Sequence, residues 1–411
     1  MKITRKKTME FIVFSLIVLP LIEPRGIIDM ASTVGGVWSI IDNLFSLLLY
    51  VSIFLSMTMI GSKIKSYKPT PLVWMTSAYH LIFMLSCIVN GNFSYYTFFI
   101  SVRAIYVALL CDYFFQRKKT MQLISVFSLW ISLFVIINIL TIIIFKNGMY
   151  MDNRGWYTKN FFLGNKNIFL YSFIPCLAFA AVFLIVKHGE LTNKYYVLLA
   201  IMIVSCVLTT ATTATISIVI FAILLFFFER ITLPKWITPE KIFIIFTIIT
   251  FAFLYLNFQE AFNNILLRFF SKDSSFTSRP YIWGQAIQQF RISPIIGRGN
   301  IIFSLSSIRS WTTGQAHNKY LDILSTTGIL GYVLYFRIMY LCGKSLLGCR
   351  ENKFKNILLF LIVCYCILFL MEARREDSII FAVLFLAYHI NNILDVNHYN
   401  SKIRKVRPHT P

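Results

Sequence analysis

Long apolar segments alternate with short polar segments along nearly the whole chain. Twelve of the apolar segments are long enough to cross a bilayer as helices, which takes roughly 20 residues at about 1.5 Å rise each. The pattern therefore predicts an all-α, polytopic membrane protein of about twelve transmembrane helices. The predicted spans are 9–26, 37–60, 71–90, 94–115, 121–145, 167–187, 195–210, 213–229, 240–258, 319–342, 355–371 and 377–394.

One polar connection, residues 259–318, is much longer than the others and divides the chain into four predicted parts. Residues 1–258 hold helices 1–9, and 259–318 form the large loop. Residues 319–394 hold helices 10–12, and 395–411 form a basic tail. The first apolar run is not followed by a small-residue cleavage site, so we expect it to remain as a span.

The composition excludes a soluble fold. Hydrophobic residues make up 57% of the chain and charged residues 14%, whereas soluble domains carry about 25% charged residues. Mean hydropathy is +0.70. The net charge of +22 would also suit a nucleic-acid-binding protein. However, lysine and arginine occur in short clusters between apolar segments, which is typical of membrane topology signals, so we expect no nucleic-acid partner.

The distribution of lysine and arginine predicts the orientation in the membrane. If the amino terminus is cytoplasmic, alternation of the twelve spans puts 23 lysines and arginines in cytoplasmic segments and seven in the five short outer connections. Cytoplasmic segments of membrane proteins carry an excess of these residues. We therefore predict that both termini are cytoplasmic and that residues 259–318 lie outside.

The outer loop departs from this charge rule, because it carries Arg268, Lys272, Arg279, Arg291, Arg298 and Arg309 against two carboxylates, Glu260 and Asp273. Long loops cross the membrane largely regardless of charge. One explanation is a solvated loop that contacts lipid headgroups. The other is recognition of a phosphorylated substrate, because guanidinium groups match phosphate oxygens and stay charged at any pH.

The middle of the loop predicts a helix with an anion site at its start. Pro280 suits the first turn, and an apolar face follows at helical spacing; that face consists of Ile282, Trp283, Ala286, Ile287 and Phe290. Such a helix lies along the membrane surface or caps a cavity. Arg279 stands beside the free N–H groups of the first turn, which favours anion binding. Pro294 ends the helix, and Gly297-Arg298-Gly299 predicts a flexible turn.

Five further residues are candidates for substrate contact. His317 lies where the loop meets the tenth span, either as an interfacial polar residue or as a base that accepts a proton from a sugar hydroxyl. Asn318 either orients that sugar or caps the helix. Arg103, deep in the fourth span, is expected to line the path of the lipid or glycan. Arg374 and Arg375 form part of a solvated turn or a second diphosphate contact.

These motifs resemble the signature block of the O-antigen ligase and O-antigen polymerase superfamily, over about 55 residues. The resemblance rests on Arg279 with Trp283, on Pro294–Gly299, on His317–Leu321 and on Gly328–Gly331. Gly164-Asn165-Lys166-Asn167 is similar to an asparagine-bearing outer loop of the family, which makes Asn167 a candidate. The family's later threonine-serine-arginine motif has no counterpart arginine in Thr209–Thr215.

The resemblance implies a bacterial inner-membrane glycosyltransferase of the GT-C architecture with an extracytoplasmic active site. Such enzymes transfer a glycan from a polyprenyl diphosphate, and by position Arg279 would contact the diphosphate and His317 would serve the acceptor hydroxyl. Other arginines of the loop, Arg268, Arg291 and Arg298, are expected to contact the diphosphate or glycan. The chain has no Asp-x-Asp, so we expect no metal and no cofactor.

The sequence leaves three functions open. A polymerase joins lipid-linked repeat units of a capsule or of O-antigen, and it would act with a flippase and a chain-length regulator. A ligase moves the finished glycan onto lipid A–core and shares the donor chemistry. A lipid-linked oligosaccharide flippase is the third alternative, although transporters are expected to show two related halves, whereas here the polar residues concentrate in one outer loop.

Overall fold

The computed structural model describes residues 5–150, 159–227, 233–255, 279–304, 312–375 and 378–396. Within these ranges the chain is almost entirely helical. Arg268, Lys272 and Asp273, like Arg309 and the basic tail, lie outside the described residues. The described strands are two short antiparallel pairs: β1 (Asn160–Phe161) with β2 (Gly164–Asn165), and β3 (Phe303–Ser304) with β4 (Thr312–Thr313).

Each predicted span overlaps a helix. The α-helices are α1 (Arg5–Val18), α2 (Arg25–Thr33), α3 (Val37–Gly61), α4 (Pro71–Val89), α5 (Tyr95–Phe115), α6 (Thr120–Ile144), α7 (Phe169–His188), α8 (Asn193–Leu208), α9 (Thr212–Phe227), α10 (Pro239–Tyr255), α11 (Arg279–Ile292), α12 (Lys319–Leu347), α13 (Asn352–Phe369), α14 (Ile379–Tyr388) and α15 (Ile390–Val396). Short 3-10 helices cover Leu19–Ile22, Ile64–Ser66 and Lys166–Ile168.

Seven helices of the described chain are long and apolar enough to cross a membrane, and the number rises to nine if each of two bent pairs is one span. The seven are α3 to α7, α12 and α13. The bent pairs are α1 with α2, at 60°, and α14 with α15, at 63°. Helices α8 and α9 have 16 residues each and α10 has 17, so the count of twelve spans stays a prediction.

The first predicted span is broken at Pro20. Proline has no N–H and cannot continue the α-helical hydrogen bonding, and the chain passes through the 3-10 helix before α2 begins at Arg25. A helix end leaves backbone carbonyls without intrahelical donors. Arg103 of α5 donates to two of them, Pro20 O at 3.0 Å and Leu21 O at 3.2 Å. Arg103 thus stabilises the break.

Helix α12 is also broken, at Gly328, where φ is 64° and ψ is −162°. Residues 294–299 pair with the backbone groups that the break frees. Arg298 N donates to Ser325 O at 2.8 Å and Gly299 N to Thr326 O at 3.0 Å, while Ile329 N donates to Pro294 O at 2.8 Å. These hydrogen bonds matter inside a membrane protein, because an unpaired backbone N–H or C=O group there costs several kcal/mol.

The glycines of this segment are required by close backbone approach. A Cβ on Gly297 would lie 2.3 Å from the backbone carbon of Thr326, and one on Gly328 would lie 2.3 Å from Ile295 O. Both residues have positive φ, which side chains disfavour. The predicted flexible turn at Gly297-Arg298-Gly299 is therefore wrong as a description. Residues 294–299, which we call the brace, are held between α4 and α12.

The connections predicted to lie outside meet at one end of the bundle, which we call the site end. Asn92 Nδ2, after α4, donates to Arg298 O at 2.8 Å. Gly26 N donates to Phe162 O at 3.0 Å. The connection between α13 and α14 contacts the loop through Arg375 Nη1 and Asn300 Oδ1, 2.9 Å apart.

The connections predicted to lie in the cytoplasm meet at the opposite end. There Asp112 of α5, fully buried, accepts hydrogen bonds from Tyr67 Oη at 2.9 Å and His389 Nε2 at 2.7 Å. Lys119 Nζ lies 3.1 Å from Glu10 Oε1. The two groups of connections are separated as alternation of the spans requires, and which group faces the cytoplasm stays a prediction from the charge distribution.

Candidate functional site

The predicted loop helix is α11, and its apolar face packs against protein. Ile282, Trp283 and Ala286 are buried, in a cluster with Phe253 of α10 and Leu321 of α12. The Trp283 and Phe253 rings meet edge to face with their centroids 5.8 Å apart, a favourable aromatic geometry. This packing holds the first residue of α11, Arg279, next to the start of α12 and the connection that follows α13.

A buried carboxylate joins the two predicted catalytic residues. Glu372 Oε1 accepts from Arg279 Nη2 at 3.1 Å, and Glu372 Oε2 lies 3.3 Å from His317 Nδ1. The Glu372 side chain is 5% exposed, and the Arg279 and His317 side chains are each 18% exposed. Arg279 Nη1 also contacts the Met371 sulfur at 3.2 Å. The three charged or titratable groups thus form one partly accessible cluster at the site end.

The Glu372 contact determines which His317 nitrogen can act as a base. An ionised carboxylate can only accept a hydrogen bond, so Nδ1 carries the hydrogen in this contact and the lone pair of the neutral ring is at Nε2. Nε2 lies 3.3 Å from Thr313 Oγ1. His317 also has a φ of 50°, a region that few residues other than glycine adopt. Such strain costs on the order of 1–3 kcal/mol and concentrates at functional sites.

A second ion pair fixes the segments that carry the cluster. Arg375 holds Asp322 with two nitrogens, Nη2 to Oδ1 at 2.7 Å and Nε to Oδ2 at 3.0 Å. Asp322 Oδ1 also accepts from Ala316 N at 3.2 Å, one residue before His317. Burial opposes the charge of Arg375, but the Asp322 carboxylate outweighs it and raises the arginine's pKa. Asp322 therefore ties the loop before α12 to the connection after α13.

Two predicted contact residues have structural partners. Asn318 is the N-cap of α12, since its Oδ1 accepts from Leu321 N at 3.1 Å, and its Nδ2 donates to Leu370 O at 3.1 Å. It is 1% exposed. Arg298 donates from Nη1 to Asn90 Oδ1 at 3.0 Å. Capping was one of the two roles expected for Asn318, and Arg298 belongs to the brace.

Arg103 and Arg374, which are 271 positions apart in the sequence, line one cavity of about 220 Å³ at the site end. Arg25 and Glu23, from the break after α1, line the same cavity. Arg374 stands over the Tyr171 ring, with 5.7 Å between the guanidinium carbon and the ring centroid, a cation–π distance. Of the two alternatives for Arg374 and Arg375, the solvated turn is wrong for Arg375, whose side chain is 7% exposed. The neighbouring Glu372 side chain is 5% exposed.

Two other predicted contact residues are exposed. Arg291 is exposed at the last turn of α11, and Asn167 is exposed in the 3-10 helix before α7. The backbone N of Asn167 donates to Asn165 Oδ1 at 3.0 Å. Arg268 lies outside the described residues. Among the residues that the structure describes, no group of three or more histidine, cysteine or acidic side chains could hold a metal ion.

Sequence reasoning missed the two acids that organise the site. The sequence motifs singled out neither Glu372 nor Asp322. One signal was present for both, because a carboxylate next to or inside an apolar segment is costly and usually has a partner. The sequence contains no sign of which partner that is, since Glu372 and His317 are 55 positions apart.

Comparison with protein families gives one match. Residues 197–336 match the family model Wzy_C, described as O-antigen ligase. The matched segment runs from within α8 to within α12, and it contains Arg279, the brace and His317. Glu372, Arg374 and Arg375 lie beyond it. No curated protein matches the chain.

Proposed function

We propose that this membrane protein transfers a glycan from a polyprenyl diphosphate to a sugar hydroxyl at the Arg279–Glu372–His317 cluster; the match of residues 197–336 to a family model described as O-antigen ligase supports the proposal. Polymerisation of lipid-linked repeat units is the leading activity. The observation that carries the proposal is that one buried carboxylate, Glu372, contacts an imidazole with one oxygen and a guanidinium with the other.

In the proposed reaction His317 is the general base. The acceptor hydroxyl approaches Nε2, gives up its proton to that nitrogen, and its oxygen forms the new bond to the anomeric carbon of the donor. The imidazolium that results is stabilised by Glu372 at Nδ1, as an acid-oriented histidine is in hydrolytic triads. Glu372 is a positioning residue in this scheme, because it acts through His317.

The bond from the anomeric carbon to the diphosphate oxygen breaks in the same step. Its electron pair leaves with the lipid diphosphate, where negative charge therefore grows. Arg279 and His317 contact the two oxygens of the same carboxylate, that of Glu372. The guanidinium of Arg279 therefore lies close to the proposed position of the reacting hydroxyl. A fixed positive charge at that distance lowers the energy of a transition state in which an oxyanion develops.

The experiment uses full-length protein in lipid nanodiscs with a lipid-linked oligosaccharide and measures the rate of transfer. His317→Gln is the test variant, since glutamine can hydrogen-bond but cannot take the proton at neutral pH. We expect transfer to fall by about 10²–10⁴-fold, the range of acid–base catalysis, with donor binding retained. His188→Gln, at an exposed position of α7, is the matched control. Wild-type transfer by His317→Gln would exclude the base role.

A ligase is the second candidate, because the matching family model is described as O-antigen ligase. The same assay separates the two activities by the acceptor supplied. A ladder of longer lipid-linked chains from the oligosaccharide alone identifies a polymerase. Product that appears only after lipid A–core is added identifies a ligase, and absence of both products in a well-folded preparation would overturn the proposed function.

A further inference from the structure

Two cavities at the site end share a wall. The larger, of about 220 Å³, lies between the break after α1, helix α5 and helix α7. The smaller, of about 30 Å³, lies between α4, α12 and α14. Ile100, Tyr171 and Arg374 line both. The two spaces are therefore neighbours that adjoin at Arg374 and the Tyr171 ring beneath it, and we call them the large lobe and the small lobe.

His80 of α4 lines the small lobe and has no hydrogen-bond partner at either ring nitrogen. It is 5% exposed. Its ring is held edge to face by Tyr79 and Phe381, with centroids 5.1 and 5.3 Å away. Buried polar atoms are almost always hydrogen-bonded, and each exception calls for a water, an ion or a ligand. A cavity of this size admits about one water molecule or one polar group of a ligand.

The charges around the two lobes favour an anion. The described residues that line them include five cationic side chains and two carboxylates; the cations are Arg25, Arg103, Lys319, Arg374 and Arg375, and the carboxylates are Glu23 and Asp322. Cationic side chains in a site of low dielectric attract an anionic group far more strongly than the same charges do in water. Two of the cations already hold a carboxylate, since Arg25 pairs with Asp29 at 2.8 Å and Arg375 with Asp322 at 2.7 Å. The lining still carries more cationic than acidic side chains, which favours an acidic ligand.

The larger lobe is lined by charged and by aromatic side chains. The aromatic residues of its lining are Tyr96, Phe99, Phe134 and Tyr171. Aromatic rings next to a few polar groups are what a site needs to bind a molecule with hydroxyls on its edge and C–H groups on its face.

We propose that this two-lobed cavity is a specificity subsite for a sugar of the glycan that carries an acidic substituent, with the ring in the large lobe and the acidic group at His80, Lys319 and Arg374. This subsite rests on the proposed transferase function and adds to that function the class of glycan that is recognised. The site is distinct from the Arg279–Glu372–His317 cluster, which acts on the bond that is transferred. His80 would donate one hydrogen bond to the acidic oxygens.

The test measures binding without turnover, by thermal unfolding of the full-length protein in nanodiscs. Three probes are used: glucuronic acid, glucose as its uncharged counterpart of similar size, and inorganic diphosphate. A ligand that binds the folded state raises the unfolding temperature with its concentration. We expect glucuronic acid to stabilise the wild type and glucose to act at least tenfold more weakly.

His80→Leu is the informative variant. Leucine is close in size to histidine, and replacing an unpartnered buried polar group by an apolar one is neutral or stabilising, so the variant should fold. We expect it to weaken the response to glucuronic acid at least tenfold, while His188→Leu, at an exposed position, responds like the wild type. Binding is scored separately from transfer, so a protein that binds glucuronic acid but transfers no glycan would refute the transferase function alone.

Three results would overturn the subsite. Equal responses of His80→Leu and the wild type would mean that the small lobe holds only water. Equal responses to glucose and glucuronic acid would mean that charge is not recognised. A response to diphosphate alone, lost in His80→Leu, would assign the cavity to the lipid donor's head group.

Discussion

Replacing Glu372 by glutamine tests the arrangement of the site most directly. The variant keeps the size of the side chain and removes its charge, and the amide oxygen can still accept from Arg279. The contact to His317 Nδ1 at 3.3 Å becomes charge-assisted when the imidazolium forms. Such a hydrogen bond contributes about 1.5–3 kcal/mol, which corresponds to about 10- to 150-fold in rate.

A second effect of glutamine adds to this loss. Its amide NH₂ can donate to Nδ1, which places the ring hydrogen on Nε2 and removes the lone pair that the acceptor hydroxyl needs. In a hydrolytic triad the corresponding acid-to-amide change lowers the rate by about 10⁴-fold for this reason. We therefore expect Glu372→Gln to lower transfer by about 10²–10⁴-fold, with a loss of about 1–3 kcal/mol in stability because Arg279 loses its charged partner.

The assay is the transfer rate of full-length protein in nanodiscs, at matched protein level and with thermal unfolding measured in parallel. Glu190→Gln is the control, because Glu190 is exposed between α7 and α8 and the same change there should leave the rate unaltered. A Glu372→Gln protein that unfolds at the wild-type temperature and transfers within about threefold of the wild type would show that His317 does not depend on this carboxylate, and the base mechanism would be withdrawn.

Three other changes test the site, the brace and the orientation. Arg279→Lys should lose at least about 90% of transfer although the charge is kept, because lysine cannot reproduce the planar fork; a rate within twofold of the wild type would contradict a role for the fork. Gly297→Ala should destabilise the protein by about 2–4 kcal/mol, from positive φ and backbone overlap, while Gly284→Ala, with open space around it, should not lower the unfolding temperature. Cysteine at position 275 in a background without the eight native cysteines should react with an impermeant reagent in intact spheroplasts, and protection would reverse the predicted topology.

Much of the helical framework could be predicted because a membrane helix depends on a local property of the sequence, a long run of apolar residues. A run of apolar residues must form a helix in lipid, whatever its neighbours are, since the bilayer offers no partners for the backbone. The breaks could be predicted only in part. Pro20 marks the first one by its missing N–H, whereas Gly328 lies within an ordinary apolar stretch, and its break depends on residues 294–299 satisfying the freed backbone groups.

The candidate functional residues, like the helix breaks, could be predicted only in part. Arg279 and His317 were predicted because they stand in a polar, arginine-rich loop and in motifs that resemble a known superfamily. Glu372 could not be assigned, because a charged turn between two spans is ordinary, and its role comes from contacts to residues 55 and 93 positions away. His80 had no signal in the sequence, since a single histidine in an apolar helix is common and only its lack of partners distinguishes it.

The sequence by itself determined the class of protein, the approximate positions of the apolar helices and the loop in which we propose that the chemistry takes place. These follow from hydrophobicity and charge, which act on each segment independently of the rest. Only the tertiary structure decided that Glu372 joins Arg279 to His317, that Asp322 holds Arg375, and that Arg103 and Arg374 line one cavity. Those contacts arise where helix ends far apart in sequence pack together, and a carboxylate, a guanidinium or an imidazole acquires its role from the partner that packing supplies.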